Sequence, residues 1–136
     1  MRTSPKLLAV LWLLIFAGIA PAIHAQDQSA TDFYMAYRAA FAKATKIEDV
    51  MPYMSKGTLS MVEKTPAGER SKMFEMIKSL DRYTNVKVVK ETKSAQGVTL
   101  AVEGVDTDKA KASATVEIVR EGNAWKLGRE SWKSSL

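Results

Sequence analysis

Residues 85–132, NVKVVKETKSAQGVTLAVEGVDTDKAKASATVEIVREGNAWKLGRESW, decide the fold. Four runs rich in Val, Thr, Ile, Leu and Trp are separated by Gly, Asn and Asp, the pattern of an antiparallel meander. The runs are Val86–Glu91, Val98–Gly104, Lys111–Glu121 and Ala124–Trp132. Their links are Ser94–Gly97, Asp106-Thr107-Asp108 and Gly122-Asn123, all short enough that neighbours pair antiparallel. Strict alternation puts Val86 and Val88 on one side of the first run, and Val98, Leu100 and Val102 on one side of the second. It turns Ala112, Ala114, Val116 and Ile118 inward in the third, and Trp125 and Leu127 in the fourth. The expected inner face is therefore apolar, with no carboxylate in it to act as a base. One face of such a sheet must be covered, and the only cover available is the chain before it.

That preceding chain reads as helices. Ser29 with Asp32 three residues on is a capping-box-like start. In TDFYMAYRAAFAKATK, Phe33, Tyr37, Ala40, Phe41 and Ala44 then fall on one helical face, flanked by Tyr34 and Arg38. Ile47, Val50, Met51 and Met54 predict a short second helix with Pro52 early in it or at a kink. Gly57 is expected to end or bend that segment, and Thr58–Lys64 to add one or two turns. Thr65-Pro66 restarts a helix, Thr at the N-cap and Pro at the first position. Met73, Ile77 and Leu80 share its expected buried face, with Phe74 and Met76 beside it.

The first 25 residues read as an address. Arg2 and Lys6 precede Leu7–Ala20, LLAVLWLLIFAGIA, an unbroken apolar run that ends at Pro21 and small residues. These are the three regions of a secretory signal. The run is shorter than the roughly 20 apolar residues of a spanning helix and has no basic flank on its far side. Cleavage is expected after Ala25 or after Ala22. It would leave residues 26–136 as a single periplasmic or secreted domain with no stable membrane span.

Composition narrows the chemistry. The chain has no Cys, which excludes disulfides, thiolate nucleophiles and thiolate metal sites. Its one His, His24, lies in the export segment. Without Arg2 and Lys6 there are 18 basic and 15 acidic residues, a net charge of +3. The charges are interspersed, with none of the basic striping of a nucleic-acid protein. No catalytic constellation, metal-ligand set or cofactor motif emerges.

Three groups of residues remain as candidates. The aromatics could line a pocket or a partner surface, or simply pack the core and its rim. Tyr37, Tyr53 and Trp125 are the expected ligand-binding set, Tyr37 on the helix face and Trp125 on the inner sheet face. Met51, Met54, Met73 and Met76 stand in pairs one helical turn apart, a spacing that suits copper(I) in an exported protein but equally suits gap-filling in a core. Glu117, Arg120, Glu121, Arg129 and Glu130 cluster around the last hairpin, as cross-strand ion pairs on a wet face or as a docking surface. The outward residues Lys87, Val89, Thr99, Ala101, Ser113 and Thr115 leave a homodimer open.

Helix, short helix, third helix and a meander ending in EGNAWKLGRESW resembles the NTF2-like (cystatin-like α+β) superfamily. More narrowly, it resembles the small exported bacterial proteins of the DUF4878 type. Phe33–Lys46 is similar to their first helix, Ile47–Lys56 to their D-x-x-x-Y-x-S helix, and Gly122–Trp132 to their last strand; the likeness covers about residues 29–132. The resemblance implies an α+β fold, N-terminal helices on a curved four-stranded sheet, forming a cone whose mouth can hold a ligand. Enzymes of the superfamily use a pocket Asp, Tyr–Asp donors or His–Asp pairs, none of which maps onto this chain. The expected function is that of a non-enzymatic exported domain binding a partner protein or a small apolar ligand. A pocket isomerase or dehydratase, and copper binding through methionine, are the alternatives.

Overall fold

A computed structural model of the chain describes residues 28–135. The signal sequence expected over residues 1–25, its cleavage sites and His24 lie outside the described residues. The order is helix α1 (Ala30–Lys43), two 3₁₀ turns (Ile47–Asp49 and Met51–Tyr53), helices α2 (Lys56–Lys64) and α3 (Ala67–Leu80), then strands β1 (Thr84–Lys93), β2 (Gly97–Val105), β3 (Lys111–Glu121) and β4 (Ala124–Ser134). The strands form one antiparallel sheet in the order β1-β2-β3-β4, so the fold is α+β as the sequence pattern requires. No described helix is long and apolar enough to cross a membrane.

Each helix start has a local cause. The Ser29 hydroxyl accepts the Asp32 N–H at 3.0 Å and caps α1. The Glu91 carboxylate reaches across from β1 to accept the backbone N–H and the hydroxyl of Thr31 in the same turn, placing a negative charge at the positive end of the helix dipole. At the other end, the Lys78 ammonium donates to the carbonyls of Phe41 at 2.7 Å and Ala42 at 3.3 Å. That contact caps α1 and docks α3 against it.

Two expectations about the helices are corrected. Gly57 does not end the second segment; it sits in the first turn of α2. Ser55 overrides it: its hydroxyl accepts from Thr58, its N–H donates to Leu127, and the next N–H, of Lys56, donates to Glu121. In the second correction, α3 begins after Pro66 rather than at a Thr65 cap. The Thr65 hydroxyl instead donates back to the Met61 carbonyl, which spends it on the end of α2. The buried face of α3 also turns: Phe74 is 5% exposed while Leu80 is 65% and Met76 59% exposed.

The core lies between α1 and the sheet. Leu100, Val102, Val116 and Ile118 are buried, each contributing roughly 1.5–3 kcal/mol of transfer free energy. Phe33, Tyr34, Tyr37 and Phe41 cover them from α1. Tyr34, expected as a flank, is completely buried. The outer face, with Thr99, Ala101, Ser113 and Thr115, is covered by no described element.

One irregularity positions everything that follows. Ile118 pairs with Leu127 and Glu117 with Arg129, so Gly128 is an extra residue on β4. This is a β-bulge. It reverses the alternation beyond Leu127: Glu130 pairs with the buried Val116, and Trp132 with the buried Ala114. The expectation of an inner face without a carboxylate is therefore overturned. Simple alternation holds in β4 only as far as Leu127, and the bulge moves Glu130 from the wet face to the covered one.

Candidate functional site

Three elements bring polar groups to one end of the inner face. The inward residues Gly104, Ala112 and Ala114 are small, and Trp132 lies across them; a Cβ on Gly104 would stand 3.2 Å from the indole. Tyr83, in the α3–β1 link, stacks on Trp132 with centroids 4.1 Å apart and planes 10° apart. The Trp132 indole N–H donates to Glu130 Oε1 at 3.0 Å. From above, Arg38 of α1 donates to Asp81 at 2.8 Å and to the Tyr83 carbonyl at 3.3 Å, and stands 3.8 Å from Glu130. The Arg38 side chain is 11% exposed, so this pair is shielded from solvent.

Two polar atoms of this cluster are buried without a sound hydrogen-bond partner: the Tyr34 hydroxyl and Glu130 Oε2. They are neighbours. Burial, then the Glu130 charge and its hydrogen-bonding reach, push the Tyr34 phenol far above its ordinary value. Tyr37 is pushed up as well, first by burial and then by Glu130. Both phenols are therefore neutral donors under all ordinary conditions.

Two cavities open beside the cluster. One, of about 460 Å³, lies between the end of α3 and the Trp132–Tyr83 stack. The other, of about 350 Å³, is walled by Ile47, Val50, Met54, Phe74 and Leu127. Tyr37, Phe41, Ile77 and Glu130 line both, so the two compartments adjoin. The first compartment is half polar and the second predominantly apolar.

The three residues expected to bind ligand do not converge. Tyr37 is on the wall of both compartments. Tyr53 packs on Phe33 and Tyr37 with centroids 5.8 Å away, behind that wall. Trp125 lies elsewhere, lining a groove of about 660 Å³ at the hairpin tips. Its N–H donates to the Gln28 carbonyl at 2.7 Å and the Arg120 guanidinium covers its ring at 4.3 Å. The charge cluster of the last hairpin also disperses: Arg120 sits on Trp125, Glu121 accepts from Lys56, and Glu130 faces inward.

Glu130, Arg38 and Asp81 were not singled out for the cleft. The available signal was Gly128, an isolated glycine inside a strand, which marks a bulge. Compared with protein-family models, curated proteins and solved structures, the chain finds no match.

Proposed function

We propose that the chain is an exported, non-enzymatic binding module, and that the cleft beneath α3 takes a small, largely apolar ligand. The observation that carries this reading is the pair of adjoining cavities that share Tyr37, Phe41, Ile77 and Glu130 as wall residues. Their size and their apolar lining with a few convergent polar groups suit a small molecule better than a partner protein, which binds a broader surface. Export rests on the residues before Gln26, and places the module in the periplasm or outside the cell. Met51, Met54 and Met73 pack against the core while Met76 is exposed, which favours gap-filling over copper binding.

The test is a ligand titration of the purified protein with a neutral apolar compound such as octan-1-ol, read as a rise in melting temperature. The variant Ile77→Trp, which fills both compartments, should abolish that rise. A wild-type protein indifferent to every such compound would sink the reading. Mass spectrometry of the envelope fraction tests export: a mature chain starting at Gln26 or Ile23 supports it, and a full-length cytoplasmic chain refutes it.

A second reading, a pocket isomerase or dehydratase, gains from Glu130, a carboxylate beside Tyr34 and Tyr37 on a cavity wall. Such an enzyme would exchange solvent deuterium into the carbon next to a ligand's carbonyl. Loss of that exchange in Glu130→Gln would establish it, and no exchange in the wild type would end it.

A further inference from the structure

Helices α1 and α3 are both 14 residues long, yet they are held very differently. Helix α1 buries Ala30, Phe33, Tyr34, Tyr37 and Phe41, whereas α3 buries Phe74 alone. The cause lies beneath α3. Ile77 lines both compartments and Leu80 lines the larger one, so this side of the helix faces open space where packed side chains would give dispersion contacts. The seat of α3 on α1 converges on one residue. Phe74 meets the Phe41 ring edge-on at 6.1 Å, and the Lys78 ammonium donates to the Phe41 carbonyl at 2.7 Å. The further bond from Lys78 to the Ala42 carbonyl, at 3.3 Å, is exposed, so water can take the place of the ammonium there. The two ends are better fixed. Arg70 donates to the carbonyls of Thr65 and Glu63 at one link, and Arg38 holds Asp81 at the other.

We propose that α3 is the lid of the cleft: it opens as one unit between the anchored links Thr65-Pro66 and Asp81–Tyr83, while α1 and the sheet stay folded, and so admits ligand to both compartments. What the lid admits rests on the small-ligand reading above. A helix of 14 residues that leaves its seat is marginal in water, so opening unwinds it and frees its amides to exchange. Segments with few buried apolar contacts open at the lowest free energy in a fold, and binding-site lids are drawn from them.

Backbone hydrogen exchange, read by mass spectrometry on protein purified after expression of the full chain, tests the opening with no ligand present. The amides of α3 should exchange together, at least about tenfold faster than those in the middle of α1 and in β3. Lys78→Met keeps the apolar stem and removes the bonds to α1; it should speed α3 by about tenfold, the scale of one hydrogen bond from a charged group. Ile118→Val trims a core side chain that stays packed when α3 opens, so it should speed β3 and leave α3 unchanged. Exchange of α3 as slow as that of β3 overturns the lid. An Ile118→Val variant that speeds both equally also overturns it, because α3 would then open only with the whole fold. Octan-1-ol that binds should slow α3, and binding without that slowing overturns the gating role. Octan-1-ol that does not bind overturns the small-ligand reading, and the exchange of the free protein still decides whether α3 opens. The wild-type comparison needs no variant, so a misfolded variant would not rescue the proposal.

Discussion

The indole of Trp132 donates to the carboxylate of Glu130, two residues back along the same strand, at 3.0 Å. Both side chains lie on the covered face because Gly128 adds a residue between Leu127 and Arg129 without a partner on β3. The bulge that takes Gly128 out of the ladder thus keeps Glu130 and Trp132 on the covered face.

Deleting Gly128 should therefore straighten β4 and keep the cleft. Arg129 would follow Leu127 directly and still face Glu117, so Glu130 and Trp132 would stay inward in a regular ladder. The Tyr83–Trp132 stack would be retained, and near-ultraviolet circular dichroism reads that directly. Gly128→Val keeps the extra residue but crowds it: its Cβ would meet Val119 at 3.1 Å and the Glu117 carbonyl at 3.2 Å, a crowding expected to cost about 1–3 kcal/mol in urea denaturation. A deletion variant that loses the wild-type aromatic dichroism would show that the bulge itself is needed to hold the stack.

Arg38 holds two carboxylates that would otherwise repel each other. Arg38→Met should destabilise the fold by about 3–5 kcal/mol, because it leaves Asp81 and Glu130 shielded and uncompensated. Adding Asp81→Asn should restore part of that loss, and a double-mutant cycle measures the coupling. Additive losses in the cycle would mean that the two side chains act independently.

The sheet was legible in the sequence, and the cleft mostly was not. The span of β3, Lys111–Glu121, follows from alternation bounded by turn residues. Gly122, with φ +61°, starts the two-residue link in a left-handed conformation that glycine adopts without strain. Ser29 announces α1 because its cap is local. Leu100, Val116 and Ile118 are inward as expected, since periodicity holds wherever the ladder is regular. Glu130 escaped because its orientation depends on a register slip, which is a property of two strands rather than of one. Arg38 and Asp81 escaped because their partners are 43 residues apart in the chain, beyond the reach of any local pattern. Tyr37 was found because it sits on a helix face with clean periodicity, whereas Trp125, with equal inward credentials, was drawn to Gln28 and Arg120.

Gly97 is irreplaceable for a different reason. A Cβ there would lie 2.0 Å from the Ile118 carbonyl oxygen and 2.9 Å from the Val119 Cα, both backbone atoms. Gly97→Ala must push β2 and β3 apart at the start of their pairing, an effect expected to exceed about 3 kcal/mol. Chemical denaturation measures it, and a loss below about 1 kcal/mol would show that the hairpin yields easily.

Acid and alkali should act through different groups. Asp106 is held below the usual carboxyl range by the Ser134 hydroxyl and by the N–H groups of Ala110 and Asp108. Its contribution is present above the ordinary carboxyl value and is lost as the pH falls through its depressed native value. Asp106→Asn should flatten the acid limb of stability against pH, and an unchanged limb would acquit Asp106.

Tyr34 governs the opposite limb. Its phenol is raised in the fold by burial first and by Glu130 second, so the unfolded chain releases that proton at lower pH than the native one. The stabilisation is complete below the ordinary tyrosine value of about 10 and declines as the pH rises above it, because only the unfolded state can ionise. Tyr34→Phe removes this dependence. It also removes a buried hydroxyl that lacks a sound partner, so at neutral pH it should change stability by less than about 1 kcal/mol in either direction. Tyr34→Ala, which empties a site with no exposure at all, should cost about 3–5 kcal/mol. Denaturation at pH 7 and pH 10.5 on the three proteins separates the hydroxyl from the ring. If Tyr34→Phe were as damaging as Tyr34→Ala, the hydroxyl would have to be bonded to Glu130 after all, and the polar cluster would be a closed network with no spare acceptor for a ligand.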